Sequence, residues 1–138
     1  MRNLVLDSEA LSVVARAGRS DPRARPVLAA LQAALELGND VVVPAAVLAE
    51  QYRGGRHDHL VDACLSRYPA IGVVDTTRSL AKNVGNILAR AGLGSAHHVD
   101  ATVVAVAVRE GGGLIMTCDP QDIETLAAGL VGVSVHTL

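Results

Sequence analysis

The chain has 138 residues, room for one hydrophobic core and not for two. Half of them are hydrophobic, yet Tyr52 and Tyr68 are the only aromatics, which leaves a core of Leu, Val, Ile and Ala and excludes the usual base-stacking platform of single-strand nucleic-acid binders. A net charge of −2, from 12 basic and 14 acidic side chains, is not the basic footprint of a typical nucleic-acid-binding domain, and the apolar runs fall well short of the roughly 18 residues of a membrane helix.

From the amino end, Met1 to Leu6 enters directly into a strand-like run, Asn3 to Leu6, with no signal-peptide pattern ahead of it. Asp7 follows, placed to cap a helix that begins at Ser8. Arg16, Arg19, Arg23 and Arg25 then crowd one segment, which contains an irregular stretch from Arg19 to Pro22. Such clustering can make a local basic patch on a nearly neutral protein. Val27, Leu28, Leu31 and Leu35 recur at helical spacing, with Gly38 where a helix C-cap belongs.

A second strand is expected at Val41 to Val43, and Glu50 lies about one and a half helical turns beyond Pro44. Arg53 and Arg56 flank the irregular stretch from Gly54 to Asp58, where His57 and His59 read as surface residues of a helix start. Ile71 to Val74 is the third strand, and Asp75 is placed to cap the helix near Thr77. Leu80, Val84, Ile87, Leu88 and Ala91 give that helix its apolar face, which stops at Gly92. Residues 99 to 109 are apolar nearly all round, so this helix belongs at the middle of the domain. After Gly111-Gly112-Gly113 comes a fourth strand, Leu114 to Thr117, and Val131 to Val135 is the fifth. Cys64 and Cys118 are lone and far apart, matching neither a disulfide framework nor a zinc motif; a reducing cytoplasm is the simplest setting.

Strands alternating with helices imply a single α/β domain over residues 1–138, with a parallel sheet flanked by helices in three layers. Ligands of such sheets sit outside the carboxyl ends of the strands. Acids stand there repeatedly. Asp7 follows the first strand; Asp119 follows the fourth, and Asp122 lies three residues on. Each has a structural explanation: Asp7 as a helix cap, Asp119 as an N-cap with Pro120 at N1, Asp122 as an N3 acid. Asp100 is harder to explain that way, because it sits in V-D-A-T-V-V-A-V-A-V, where an ionised group needs a partner or a metal. Glu50, in A-V-L-A-E, raises the same question. If the first and fourth strands are neighbours, these acids can meet. Their repulsion would then call for a divalent cation, and all-oxygen ligation suits Mg²⁺ or Mn²⁺ rather than zinc.

In order and context, four segments resemble the PIN-domain family, and within it the VapC-type toxins of bacterial toxin–antitoxin pairs. They are L-V-L-D-S through Asp7 and Ser8, V-V-V-P-A-A-V-L-A-E through Glu50, V-D-A-T-V-V-A-V-A around Asp100, and L-I-M-T-C-D-P-Q-D from Leu114 to Asp122. The resemblance implies a five-stranded parallel sheet and a Mg²⁺- or Mn²⁺-dependent endoribonuclease. Asp7, Glu50, Asp100 and Asp119 would be its acidic quartet, Asp122 an additional acid, and Ser8 and Thr117 supporting hydroxyls. It also implies an RNA substrate, a homodimer, and a cognate antitoxin that covers or enters the site.

Arg16, Arg19, Arg53 and Arg56 are candidates to contact the RNA backbone. His97 and His98, just before Asp100, match no family role; adjacent histidines on a helix face different ways and should not share a metal. Two further readings stay open: a housekeeping PIN nuclease that processes RNA, and a non-catalytic module on the same fold. A phospho-receiver domain fails on chemistry. It needs a lysine after a late strand, and the sole lysine, Lys82, lies in the helix just after Asp75.

Overall fold

The computed structural model describes residues 3–16 and 21–138. Five strands form one all-parallel sheet: β1 (Asn3–Leu6), β2 (Val41–Pro44), β3 (Ile71–Val74), β4 (Gly113–Thr117) and β5 (Val133–Thr137). Their order across the sheet is β3-β2-β1-β4-β5. The helices are α1 (Ser8–Arg16), α2 (Ala24–Glu36), α3 (Ala45–Gln51), α4 (Arg56–Arg67), α5 (Arg78–Ala91), α6 (His98–Arg109) and α7 (Pro120–Ala127), with a 3₁₀ turn at Ser95–His97 before α6.

The expected strands and helices are present, and their ends have local causes. Ala10 N–H donates to the Asp7 carboxylate at 2.8 Å, so Asp7 does cap α1. α5 ends at Gly92, whose φ of 68° is the left-handed conformation that glycine adopts at least cost. Its other end differs from expectation. The Thr77 hydroxyl, not Asp75, accepts from Leu80 N–H at 3.1 Å, because Thr77 stands next to the first helical residue.

The fifth strand begins two residues later than Val131. Val131 and Gly132 form a turn, Val131 is almost fully exposed, and pairing starts at Gly113↔Val133. Gly112 is what permits that pairing. It has φ 103°, and a Cβ on it would meet the Gly132 carbonyl oxygen at 2.8 Å. Continuous apolar runs suggested strands covered on both faces. That holds for β2 and β1 and largely for β4, which have a strand on either side, but the edge strands β3 and β5 are partly exposed.

α6 is the central helix that its composition required. Ala101 to Ala107 are all buried, and α6 lies across β1, β2, β4 and β5 with α3, α5 and α7 against it. α1 and α2 pack on β1 with β4 and β2, which completes the three layers. Burying a Val side chain is worth about 1.5–3 kcal/mol, so Val103, Val104 and Val106 make α6 a large contributor to the fold. Among the described residues no helix is long and apolar enough to cross a membrane.

Candidate metal centre

The strand order sets the location. From β1 the chain moves outward through β2 to β3, then returns to β4 on the other side of β1. The carboxyl ends of β1 and β4 therefore flank the point where connections leave in opposite directions, the usual ligand crevice of an open parallel sheet. Asp7 ends one of these strands and Thr117-Cys118-Asp119 the other. The helices α1, α6 and α7 begin at Ser8, His98 and Pro120, so Asp7, Asp100, Asp119 and Asp122 all sit at helix N-termini, whose partial positive charge favours anions.

Asp7 is buried, only 4% exposed. Burial pushes its carboxyl up to about 6; hydrogen bonds from Thr117 and Ala10 oppose the rise, and the charges of Asp100 and Glu9 add to it. Thr117, itself buried, also accepts from Asp119 N–H at 3.0 Å and so ties the ends of β1 and β4 together. Asp119 occupies the N-cap position of α7 with Pro120 after it, as expected, but its side chain makes no capping bond. Its exposed carboxylate keeps its oxygens for other partners.

Asp100, in the first turn of α6, is the electrostatic hub. Burial raises its pKa, and so do the charges of Asp122, Glu50 and Asp119, while His97 lowers it. The exposed Glu50 near the end of α3 is thus near enough for its charge to act on Asp100, and the half-exposed Asp122 of α7 is closer, within 4.8 Å of Asp100 by ligand atoms. Among the described residues, those whose ligand atoms come within 4.8 Å of one another are His97, Asp100 and Asp122; Asp7, Glu50 and Asp119 interact with Asp100 through their charges. Among the described residues Arg23–Asp21 is the sole ion pair made by a Lys or Arg, so neither Lys nor Arg neutralises these acids.

Sequence reasoning missed three neighbours. Gln51, adjacent to Glu50 and buried, donates from Nε2 to the Ser8 hydroxyl at 2.8 Å and to the Ser8 carbonyl at 3.1 Å, while its own Oε1 has no partner. This bond fixes Ser8 beside Asp7 and joins α3 to α1. His97 Nδ1 lies 3.7 Å from an oxygen of Asp122, brought there by the 3₁₀ turn rather than by α6. Arg23 pairs with Asp21 at 3.1 Å and reaches within 3.7 Å of Cys118 Sγ, one residue from Asp119. Nothing in the spacing of these residues would have found them; a 95-residue separation closes only in the fold.

Of the remaining candidates, those described are surface residues. Arg16, exposed at the end of α1, lines a cleft with Ser12, Asp21 and Arg23. Arg53 and Arg56 are exposed between α3 and α4, and His57 and His59 are surface residues of α4, as expected. Arg19 lies outside the described residues. Cys64 and Cys118 are both free.

Fold and site together define an α/β protein with an acidic cluster at the switch point of a parallel sheet. The chain belongs to the PIN domain family, whose model matches residues 4–128. Among solved structures it is similar to VapBC2 from Rickettsia felis, determined bound to a DNA fragment from their promoter (14% identity, TM-score 0.70, 98% of each chain covered). It also resembles a toxin–antitoxin complex from Klebsiella pneumoniae (16% identity, TM-score 0.68, 99% of this chain and 100% of that one). DNA-bound VapBC from Salmonella typhimurium is a third (15% identity, TM-score 0.65, 99% and 98% covered). At these identities the likeness is one of fold. No curated protein matches the sequence.

Proposed function

We propose that this protein is a divalent-metal-dependent endoribonuclease of the VapC type, the toxin of a toxin–antitoxin pair. PIN domains are generally nucleases, and the observation that supports the reading is the acidic surroundings of Asp100, which feels the charges of Asp122, Glu50 and Asp119 and acts in turn on Asp7, with no Lys or Arg paired to these acids among the described residues. The raised pKa values of Asp7 and Asp100 mean that ionising these two beside their acidic neighbours is costly. A hard oxygen donor set of this charge fits Mg²⁺ or Mn²⁺. Likeness over nearly the full length to chains of toxin–antitoxin complexes supports the toxin over a housekeeping nuclease.

Asp7, Glu50, Asp100 and Asp119 would hold the ion, with Asp122 beside them. When bound, it supplies positive charge to the scissile phosphate and lowers the pKa of the attacking water. The chain's own groups do the rest. Thr117 holds Asp7 and the Asp119 backbone in register, so the carboxylates need not reorganise on binding. Gln51 donates to the Ser8 oxygen, which leaves the Ser8 hydroxyl hydrogen free to donate to a phosphate oxygen. The amino ends of α1, α6 and α7 add partial positive charge around an anionic substrate. Arg16, Arg19, Arg53 and Arg56 hold the RNA backbone, and cleavage leaves 5′-phosphate and 3′-hydroxyl ends. The working protein is a cytoplasmic homodimer restrained by a cognate antitoxin.

Brief induction in a bacterial host, with RNA 5′ ends mapped across the transcriptome beside Asp100→Asn, tests the reading. Discrete new ends with the wild type alone are the expected result. Identical maps would overturn it in favour of a non-catalytic module. Discrete ends, with no small antitoxin gene beside this one and no growth arrest, would favour the housekeeping nuclease.

A further inference from the structure

We infer that His97 is a ligand of the metal centre, joining Asp100 and Asp122, and that its imidazole makes the site prefer Mn²⁺ over Mg²⁺. The inference rests on the metal-dependent reading of the acidic cluster and adds a residue that the acids alone do not supply.

Geometry is the first support. One ligand atom from each of His97, Asp100 and Asp122 can be chosen so that all lie within 4.8 Å of one another. His97 Nδ1 lies 3.7 Å from Asp122 Oδ2. That is too long for a hydrogen bond, which would bring the atoms to about 2.7–3.2 Å. It lies between the roughly 3.0 Å of adjacent and 4.2 Å of opposite donors on an octahedral ion about 2.1 Å from each, so a side-chain movement of under about 1 Å would let both reach one ion. The imidazole and the carboxylate therefore face each other across a gap without closing it.

Local structure is the second. His97 is held by the 3₁₀ turn, in which its N–H donates to the Gly94 carbonyl at 3.1 Å, and not by α6. The next residue, His98, starts α6 and is exposed, with its carbonyl accepting from the Thr102 hydroxyl at 2.8 Å. Successive residues of either helix type point about 100–120° apart, so His97 approaches Asp122 while His98 is exposed.

Donor chemistry then decides the metal. Mg²⁺ takes oxygen ligands and gives up water reluctantly, whereas imidazole suits first-row transition ions, whose affinities rise from Mn²⁺ onward. A centre of carboxylates alone has no reason to discriminate strongly; one nitrogen gives it a reason.

The alternative is that His97 is only a cationic partner of Asp122, and the two can be told apart without assaying RNA. Full-length protein, stripped by chelation, is titrated calorimetrically with Mn²⁺ and with Mg²⁺, as wild type, His97→Ala, His97→Gln and His98→Ala. Electron spin-echo modulation of the Mn²⁺-loaded samples reports a directly bonded nitrogen. Wild type should bind Mn²⁺ the more tightly and show ¹⁴N modulation. His97→Ala and His97→Gln should lose the modulation and weaken Mn²⁺ on the order of tenfold or more, with Mg²⁺ changed by no more than about threefold; His98→Ala should match wild type. Absence of nitrogen modulation in the wild type, its persistence in His97→Ala, or equal losses for the two ions would overturn the inference. Failure of both ions to bind would overturn it together with the metal-dependent reading. Mn²⁺ bound through nitrogen without RNA cleavage would leave His97 as a ligand and sink only the nuclease.

Discussion

Asp7 carries two jobs that pull in opposite directions. As the cap of α1 it stabilises the fold, but as a buried carboxylate it resists ionisation, with a pKa of about 6 against an ordinary 3.8. The folded state therefore binds the proton more tightly than the unfolded chain. Folding is favoured while the group is protonated, and stability falls as pH rises from about 4 through 6, by about 3 kcal/mol in metal-free protein. Asp7→Asn keeps a capping oxygen and removes the charge. Thermal denaturation without metal should show the variant melting several degrees above wild type at pH 8 and level with it at pH 4. The same variant should not cleave RNA. Equal melting at both pH values would mean that the Asp7 charge is already compensated.

Gln51 offers a separate test at the same scale. Its amide bonds hold Ser8, but its orphaned Oε1 costs stability. Gln51→Leu removes both at similar volume, so stability should change by less than about 1 kcal/mol. Cleavage should fall on the order of tenfold, because Ser8 is no longer oriented. The comparison needs kcat and the melting temperature from one preparation. A large loss of stability with kcat intact would make Gln51 a packing residue.

At the scale of elements, the approach of the segment before β4 to the turn before β5 depends on Gly112. Gly111 and Gly112 both have positive φ, but only Gly112 faces a backbone atom, the Gly132 carbonyl oxygen, at 2.8 Å from where a Cβ would sit. Gly111→Ala should cost roughly 1–2 kcal/mol from backbone strain alone. Gly112→Ala adds a clash with backbone that has no room to yield, so it should destabilise by clearly more in urea denaturation. Similar costs would mean that the two segments separate easily. β5 is the edge strand beside β4, so its loosening would be felt at Thr117 and Asp119.

For the whole molecule, the distribution of charge matters more than its total. A protein of net charge −2 can still bind RNA if exposed arginines flank an acidic centre whose charge a cation cancels. If Arg16, Arg53 and Arg56 meet phosphates, RNA binding by Asp100→Asn should weaken steeply between about 50 and 200 mM salt, and replacing each arginine should lower the slope by about one. Fluorescence anisotropy across that range checks it; a flat profile would remove the arginines from the interface. Mn²⁺ should raise the melting temperature of wild type, since a ligand of the folded state stabilises it by about 2.7 kcal/mol at a hundred times its dissociation constant. It should do so far less for Asp100→Asn.

The element pattern was readable from the chain because it is written in local terms. Apolar runs marked the strands, and 3.6-residue spacing marked α2 and α5. A helix without a polar face, α6, had to be central. The acids after β1 and β4 could be named for the same reason, since the end of a strand is a position in sequence. Where sequence erred, the determinant lay elsewhere in the chain. Val131 leaves β5 because Gly132 must meet Gly112, and β3 is exposed because it ended at an edge. Sequence could pose the meeting of Asp7 with Asp119, and of both with Asp100, only as a condition: that β1 and β4 be neighbours. The strand order satisfied it. His97 against Asp122, Gln51 against Ser8 and Arg23 against Cys118 belong wholly to tertiary structure. Each joins residues whose side chains carry no periodic or local signal, and burial of the core alone fixes their distance.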